Sequence, residues 1–309
     1  ALKVKGINYP FLIACVYFAN NVWVTGLSSS IPLVLNTESN FIIKAGILEQ
    51  VIPTSFTLGS SLNFSILALY FVFAPLLVLL LIPKKKEGYE LNELIKDNPK
   101  IFMGFSDITA CLNSITQKTK MVSFHGPMLV SNKNGPIEYN MSIMQQVLSG
   151  ASNMIIDTPE ETPGRILKSG VGTGPLWGGN ITLLINRLGT GDSINTDGVI
   201  LFLEDINEYF YSFERMLIHM KNAGMFNKIA GLVFGELKDL KEEDIPFGKS
   251  SDEIIMDICG ELEIPIISNY PCGHGKYQAT LPISIPAELN ANDHKPYLKV
   301  LESSVSKDD

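Results

Sequence analysis

Residues 198–224 read GVILFLEDINEYFYSFERMLIHMKNAG. Gly198–Leu203 is an unbroken apolar run of strand length, the pattern of a strand covered on both faces. An acidic cluster follows, Glu204-Asp205-Ile206-Asn207-Glu208. From Tyr209 to Asn222 the period becomes helical, with Phe213, Met216, Leu217 and Met220 on one face, and Gly224 stands where a helix stop belongs. The same alternation extends both ways. Downstream, Ile229–Gly235 (IAGLVFG) reads as a strand, Ser251–Leu262 as a helix and Pro265–Asn269 (PIISN) as a strand. Upstream, Lys100–Gly104 (KIFMG) and Met121–Phe124 read as strands. Asp107–Lys118 reads as a helix facing inward with Ile108, Cys111, Leu112 and Ile115, and Ser142–Leu148 as a short helix. Asp157–Gly174, rich in Pro, Gly, Thr and Glu, reads as a linker. Alternating strands and helices indicate an α/β architecture. The division is then an apolar region 1–83, an α/β part 84–156, the linker 157–174 and a second α/β part 175–309.

Composition narrows the function classes. The chain has 309 residues, 46% apolar and 18% charged, enough to bury a sizeable core. A net charge of −8 argues against nucleic acid as a partner, which needs a basic surface. Arg165, Arg187 and Arg215 are the only arginines. Cys15, Cys111, Cys259 and Cys272 form no CxxC pair, and His125, His219, His274 and His294 show no metal-ligand spacing. A zinc ribbon, a disulfide scaffold and a transition-metal enzyme are disfavoured.

Residues 1–83 have another texture. Their only charged residues are Lys3, Lys5, Glu38, Lys44 and Glu49, and Phe64–Pro83 (FSILALYFVFAPLLVLLLIP) is nearly all apolar, followed by Lys84, Lys85 and Lys86. This length would span a bilayer, and the lysines would mark its cytoplasmic end. It also reads as buried strands broken at Pro75, or as a segment foreign to the reading frame. Pro10–Val24, broken by Asn20 and Asn21, makes a poor signal peptide. The expectation is an irregular globular region, with Phe64, Ile66, Leu67, Tyr70 and Phe71 packed on the helix near Asp107.

Three junctions carry chemistry. In Gly104-Phe105-Ser106-Asp107 a strand turns into a helix, so Ser106 reads either as the helix N-cap or as a nucleophile with helix-start N–H groups beside it. GxSxG is not satisfied, because Ile108 occupies its fifth position. Glu204 directly follows a strand, where α/β active sites gather, whereas Asp205 and Glu208 also read as helix-start residues. In Cys272-Gly273-His274-Gly275 the glycines permit close backbone approach and leave the ring accessible. Serine, glutamate and histidine at three strand ends make a candidate nucleophile, orienter and base.

From about Glu90 to Leu301 the chain resembles the LD-carboxypeptidases, serine peptidases that trim murein peptides and that include the microcin C self-immunity peptidases. The stretches that carry the resemblance are NPKIFMGFSDITA (98–110), VSFHGPML (122–129), GPLWGGNITLLINRLGT (174–190), GVILFLEDINEYFYSFERML (198–217) and CGHGKYQATLPI (272–283). It implies a Ser–His–Glu triad of Ser106, His274 and Glu204, an oxyanion N–H from Asp107, and Trp177 lining the substrate cleft or packing a domain interface. It implies a two-domain fold, a Rossmann-like N-terminal α/β domain, atypical here, and a swivelling C-terminal α/β domain. It also implies a cytoplasmic homodimer with no metal and no organic cofactor, acting on the L–D bond that holds the terminal D-alanine of a murein tetrapeptide. Alternatives are microcin C-type immunity hydrolysis, or a weakly catalytic peptide-binding protein tethered to the membrane through 64–83 with its enzyme domain in the cytoplasm. The Arg-Gly-Gly-Tyr-Gly-like turn that supplies the family's second oxyanion donor does not occur in residues 1–95.

Overall fold

The computed structural model describes residues 91–306, apart from 129–130, 132–134 and 293. The expectations for 1–83, including the burial of Phe64–Phe71, lie outside the described residues. From Leu91 onward the chain forms one compact unit.

The elements, in chain order, are α1 (Leu91–Asp97), β1 (Met103–Gly104), a 3-10 turn (Ser106–Ile108), α2 (Thr109–Thr119), β2 (Phe124–His125), α3 (Glu138–Leu148), β3 (Met154–Asp157), β4 (Arg165–Lys168), β5 (Val171–Asn180), α4 (Ile181–Asn186), β6 (Ile200–Ile206), α5 (Phe210–Asn222), β7 (Gly231–Lys238), α6 (Ser251–Cys259), β8 (Ile266–Gly273), β9 (Leu281–Pro282), β10 (Pro286–Asn290) and β11 (Tyr297–Val300). The described strands form two sheets, a small one ordered β1-β2-β9 and a large one ordered β3-β11-β10-β5-β6-β7-β8-β4. Strands β5 to β8 run parallel, and β10, β11, β3 and β4 pair antiparallel at the two ends. The architecture is α/β, as the alternating pattern indicates.

The apolar run that opens strand β6 is covered on both faces. Ile200 and Phe202 belong to one core cluster, and Val199, Leu201 and Leu203 belong to the other. The second cluster is closed by α4, α5 and α6, through Ile181, Leu184, Phe213, Leu217, Met220, Ile254 and Ile255. The first is closed by Leu112 of α2, Ile143 and Val147 of α3, and strands of the small sheet. Covering both faces removes any polar alternation. Helix α5 buries Phe213, Leu217 and Met220 as its period requires, and its chain reverses at Gly224, which has φ +79. Helix α6 opens with a capping box of Ser250 and Glu253.

Three expectations change. Residues 157–174 hold β4 and the first part of β5 within the large sheet. Pro159, Pro163, Gly164 and Gly170 lie in the connections between strands, whereas Gly172 and Gly174 lie inside β5, where a Cβ would meet the Ala230 and Gly198 carbonyls. Strands β6 and β8 run past Leu203 and Asn269 to Ile206 and Gly273, because both go on pairing with β7, Asp205 and Ile206 with Leu237 and Lys238, and Tyr270 and Gly273 with Gly235 and Glu236. Helix α2 turns a different face inward: Thr109, Leu112, Asn113 and Thr116 are buried, while Cys111 is exposed. Its polar groups find partners there. Asn113 Nδ2 donates to the Gly178 carbonyl at 2.9 Å, the Asn180 N–H donates to Thr109 Oγ1 at 3.1 Å, and the Thr116 and Ser123 hydroxyls meet at 2.7 Å.

Candidate active site

Alternation along β6 places Glu204 on the face shared by Ile200 and Phe202, toward α2 and the small sheet. Asp205 falls on the opposite face, at the start of α4. There it accepts from Thr182 N and Thr182 Oγ1, both at 3.0 Å, and from Asn180 Nδ2 at 3.0 Å. Asp205 therefore anchors a helix other than the one that follows it in sequence. Glu208 accepts from Ser212 Oγ at 2.8 Å, a contact within its own helix start.

Glu204 is fully buried, and its Oε2 lies 2.8 Å from His274 Nδ1. The imidazole sits in the loop that β8 feeds, with its side chain 15% exposed. A carboxylate opposite Nδ1 places the proton on that nitrogen and leaves Nε2 as the acceptor. Burial pushes the Glu204 carboxyl up, while the bonds from His274 and Asn180 pull it down. The two glycines beside His274 admit carboxylates. A Cβ on Gly273 would reach Glu204, and one on Gly275 would reach Glu236. The pairing between β7 and its neighbours shifts register at this level, between Leu203 and Asp205 on β6 and again opposite Tyr270 and Gly273 on β8. The loop is tied down from α3 and by its own amide. Asn140 Oδ1 accepts from Gln278 N at 2.7 Å, and Gln278 Nε2 donates to the Gly273 carbonyl at 2.6 Å.

Ser106 stands between β1 and α2 with φ +63, a left-handed conformation that an ordinary cap does not require. Its side chain makes no capping bond to the turn or to α2, whose N-cap positions are Phe105 and Ile108. The N-cap reading of Ser106 therefore gives way to a strained turn, a geometry associated with functional sites. Among the described residues no hydrogen bond joins Ser106 to His274. The preceding ring does meet it: Phe105 and His274 pack edge to face with centroids 4.8 Å apart. Asp107 is exposed, and as an early residue of the turn its N–H has no acceptor within the helix.

Trp177, on β5, is partly buried and packs against both core clusters. The following glycines serve contact with α2. Gly178 and Gly179 have φ +149 and +134, and a Cβ on Gly179 would lie 2.5 Å from Thr109 Cγ2. Gly179 lets the helix that follows Ser106 lie directly on the large sheet, while a Cβ on Gly178 would meet the Phe202 backbone of β6 and the Gly178 carbonyl accepts from Asn113 of α2.

One histidine near the site is not singled out by the sequence reading. His125, beside Gly126-Pro127, is buried on β2 with its ring 5.1 Å from Phe202 and 6.4 Å from Phe105. Burial pulls its pKa down to about 3, and a charged His274 would push in the same direction. Among the described residues, no group of three or more His, Cys, Asp or Glu is placed to hold a metal, and no helix is long and apolar enough to cross a membrane.

Residues 173–289 match the family model described as the LD-carboxypeptidase C-terminal domain. Residues 1–124 match a second model, of short chain fatty acid transporters. The end of that second match, from Leu91, includes β1, Ser106 and α2, which are built into the unit just described. A Bacillus subtilis protein that bears a murein peptide carboxypeptidase name is 31% identical over 214 residues, 69% of this chain and 66% of the relative. A Synechocystis sp. protein that bears a carboxypeptidase name is 30% identical over 215 residues, 66% of this chain and 68% of the relative. The alignment thus spans about two thirds of the length of these relatives. The crystal structure of muramoyltetrapeptide carboxypeptidase from Oxalobacter formigenes superposes with a TM-score of 0.60 at 29% identity, covering 69% of this chain and 72% of that one.

Proposed function

This chain belongs to the LD-carboxypeptidase family, and we propose that it is a serine peptidase which releases the terminal D-alanine of a murein tetrapeptide. The observation that carries the reading is the buried Glu204–His274 pair, whose imidazole packs on Phe105, the residue before a serine held at φ +63 at a strand–helix junction. His274 Nε2 takes the proton of Ser106 as Oγ attacks the peptide carbonyl carbon. The Asp107 N–H faces the oxyanion that forms. The carbon–nitrogen bond then breaks, and His274 returns the proton to the departing amine of D-alanine. In the second half His274 draws a proton from water, the hydroxide attacks the Ser106 ester, the carbon–Oγ bond breaks to release the shortened peptide, and the proton goes back to Oγ. Through both halves Glu204 holds the Nδ1–H tautomer and offsets the charge of the imidazolium. Trp177 lines the cleft on the β5 side in this reading.

The test is mass-spectrometric detection of D-alanine released from murein tetrapeptide by the full chain, with Ser106→Ala alongside. The reading expects release by the parent and none above background by the variant. Equal release by both would remove Ser106 as nucleophile.

A second reading is favoured by the transporter-family match over 1–124 together with the apolar run Phe64–Pro83. In it the chain is membrane-tethered and binds murein-type peptides with weak catalysis. Detergent-dependent extraction of the expressed chain, with binding but no turnover, would select it. Extraction in plain buffer with turnover would discard it.

A further inference from the structure

The mechanism uses His274 and leaves His125 without a task. His125 is 1% exposed, and neither ring nitrogen has a hydrogen-bond partner among the described residues. Unpaired buried polar atoms cost stability, so packing alone would favour a hydrocarbon at this position. Histidine offers what the hydrocarbons do not, a single flat five-membered ring. That ring belongs to a row. Its centroid is 5.1 Å from Phe202 and 6.4 Å from Phe105, at steep interplanar angles, and Phe105 in turn lies 4.8 Å from His274. Phe202 shares a face of β6 with Glu204, two residues on, and Phe105 immediately precedes Ser106. The backbone fixes the other side, since His125 pairs with Gly104 on β1 and with Leu281 on β9. One ring thus bears on the segments that carry Glu204 and Ser106, and through Phe105 on the ring of His274.

We propose that His125 is a positioning residue for the reaction, a spacer that sets Phe105, and through it the Ser106 turn and the His274 ring, at the separation that acyl transfer needs. The inference rests on the triad reading above. A shorter side chain lets Phe105 drop toward β2, and a six-membered ring pushes it outward. Either displacement moves the serine and the imidazole relative to one another, and misplacement of about 1 Å costs roughly a hundredfold in rate.

Three variants of the full chain test this: His125→Ala, His125→Phe and Phe105→Leu. Each is measured for kcat and KM on murein tetrapeptide per folded molecule, and for thermal unfolding. All three are expected to lose tenfold or more in kcat with KM within about threefold of the parent, and His125→Phe to unfold no earlier than the parent. A parental kcat in His125→Phe or in folded His125→Ala would overturn the proposal, as would losses confined to KM. A further readout does not depend on turnover, the downfield Nδ1–H proton resonance of His274 in histidine-labelled protein. It should shift or broaden in all three variants and stay parental if His125 is only filler. If the parent itself releases no D-alanine, the functional reading fails, and the resonance still decides the positioning role.

Discussion

A Cβ on Gly273 would lie 2.5 Å from Oε2 of Glu204, the oxygen that His274 Nδ1 meets at 2.8 Å. The backbone there has φ +100, so an alanine is strained before any contact is counted. Gly273→Ala is expected to push the carboxylate off the imidazole. The predicted result is a fall of about a hundredfold in kcat and a lower Tm. Steady-state kinetics with thermal unfolding checks it, and a parental kcat would separate Glu204 from the reaction.

Glu204→Gln keeps the volume of the side chain and removes its charge. The amide no longer dictates which imidazole nitrogen carries the proton, and the imidazolium loses its counter-charge. In serine hydrolases the equivalent change costs about 10⁴ in kcat, and a loss of that order is expected here with the fold retained. Glu208→Gln is the control. Its partner is Ser212 on its own helix, so kcat should stay within about twofold of the parent. Similar losses in both variants would contradict the assignment of Glu204.

His125 predicts a pH effect on stability whose sign follows from burial. Its pKa falls from 6.5 to about 3 on folding, so between those values the unfolded chain holds the extra proton. Stability therefore drops as the pH is lowered from 6.5 toward 3, by roughly 1.4 kcal/mol per unit where the slope is fully developed. Other groups titrate in the same range, so the informative quantity is the difference between the parent and His125→Phe. Urea unfolding of both at pH 7, 5.5 and 4.5 should show the variant losing less on acidification. Identical slopes would mean that His125 is hydrated in the folded protein.

The α/β order and the helix face of Phe213, Leu217 and Met220 were legible because a covered strand and an amphipathic helix each impose a period. Glu204 and His274 were legible because an acid at a strand end and a histidine between glycines have few purely structural uses. Three features were not legible. The inward face of α2 is polar, and its burial depends on Gly178 and Gly179, far along the chain. Asp205 serves α4 across the sheet edge, which no local pattern encodes. His125 was not singled out, because its surroundings come from β1, β6 and β9. The signal available was its place in VSFHGPML, one of the stretches that carry the family resemblance.

Ser106 supplies a trade-off that can be measured. A non-glycine residue at φ +63 carries strain of about 1 kcal/mol, because Cβ crowds the following carbonyl. A cap residue would behave in the opposite way, since removing its hydroxyl would cost about 1 kcal/mol. The structure gives Ser106 no capping bond to lose. Ser106→Ala keeps the Cβ and the strain, so its stability should stay within about 0.5 kcal/mol of the parent. Ser106→Gly relieves the strain and should gain roughly 0.5–1 kcal/mol, less the added freedom of the unfolded glycine. Both should fail to form an acyl-enzyme. A glycine variant that is more stable and inactive is what a functional residue held in strain predicts. Chemical denaturation of the three proteins, with mass spectrometry of tetrapeptide-treated samples, decides the matter. A glycine variant less stable than the alanine variant would show that the left-handed turn is not strained, and acyl-enzyme formation by either variant would place the nucleophile elsewhere.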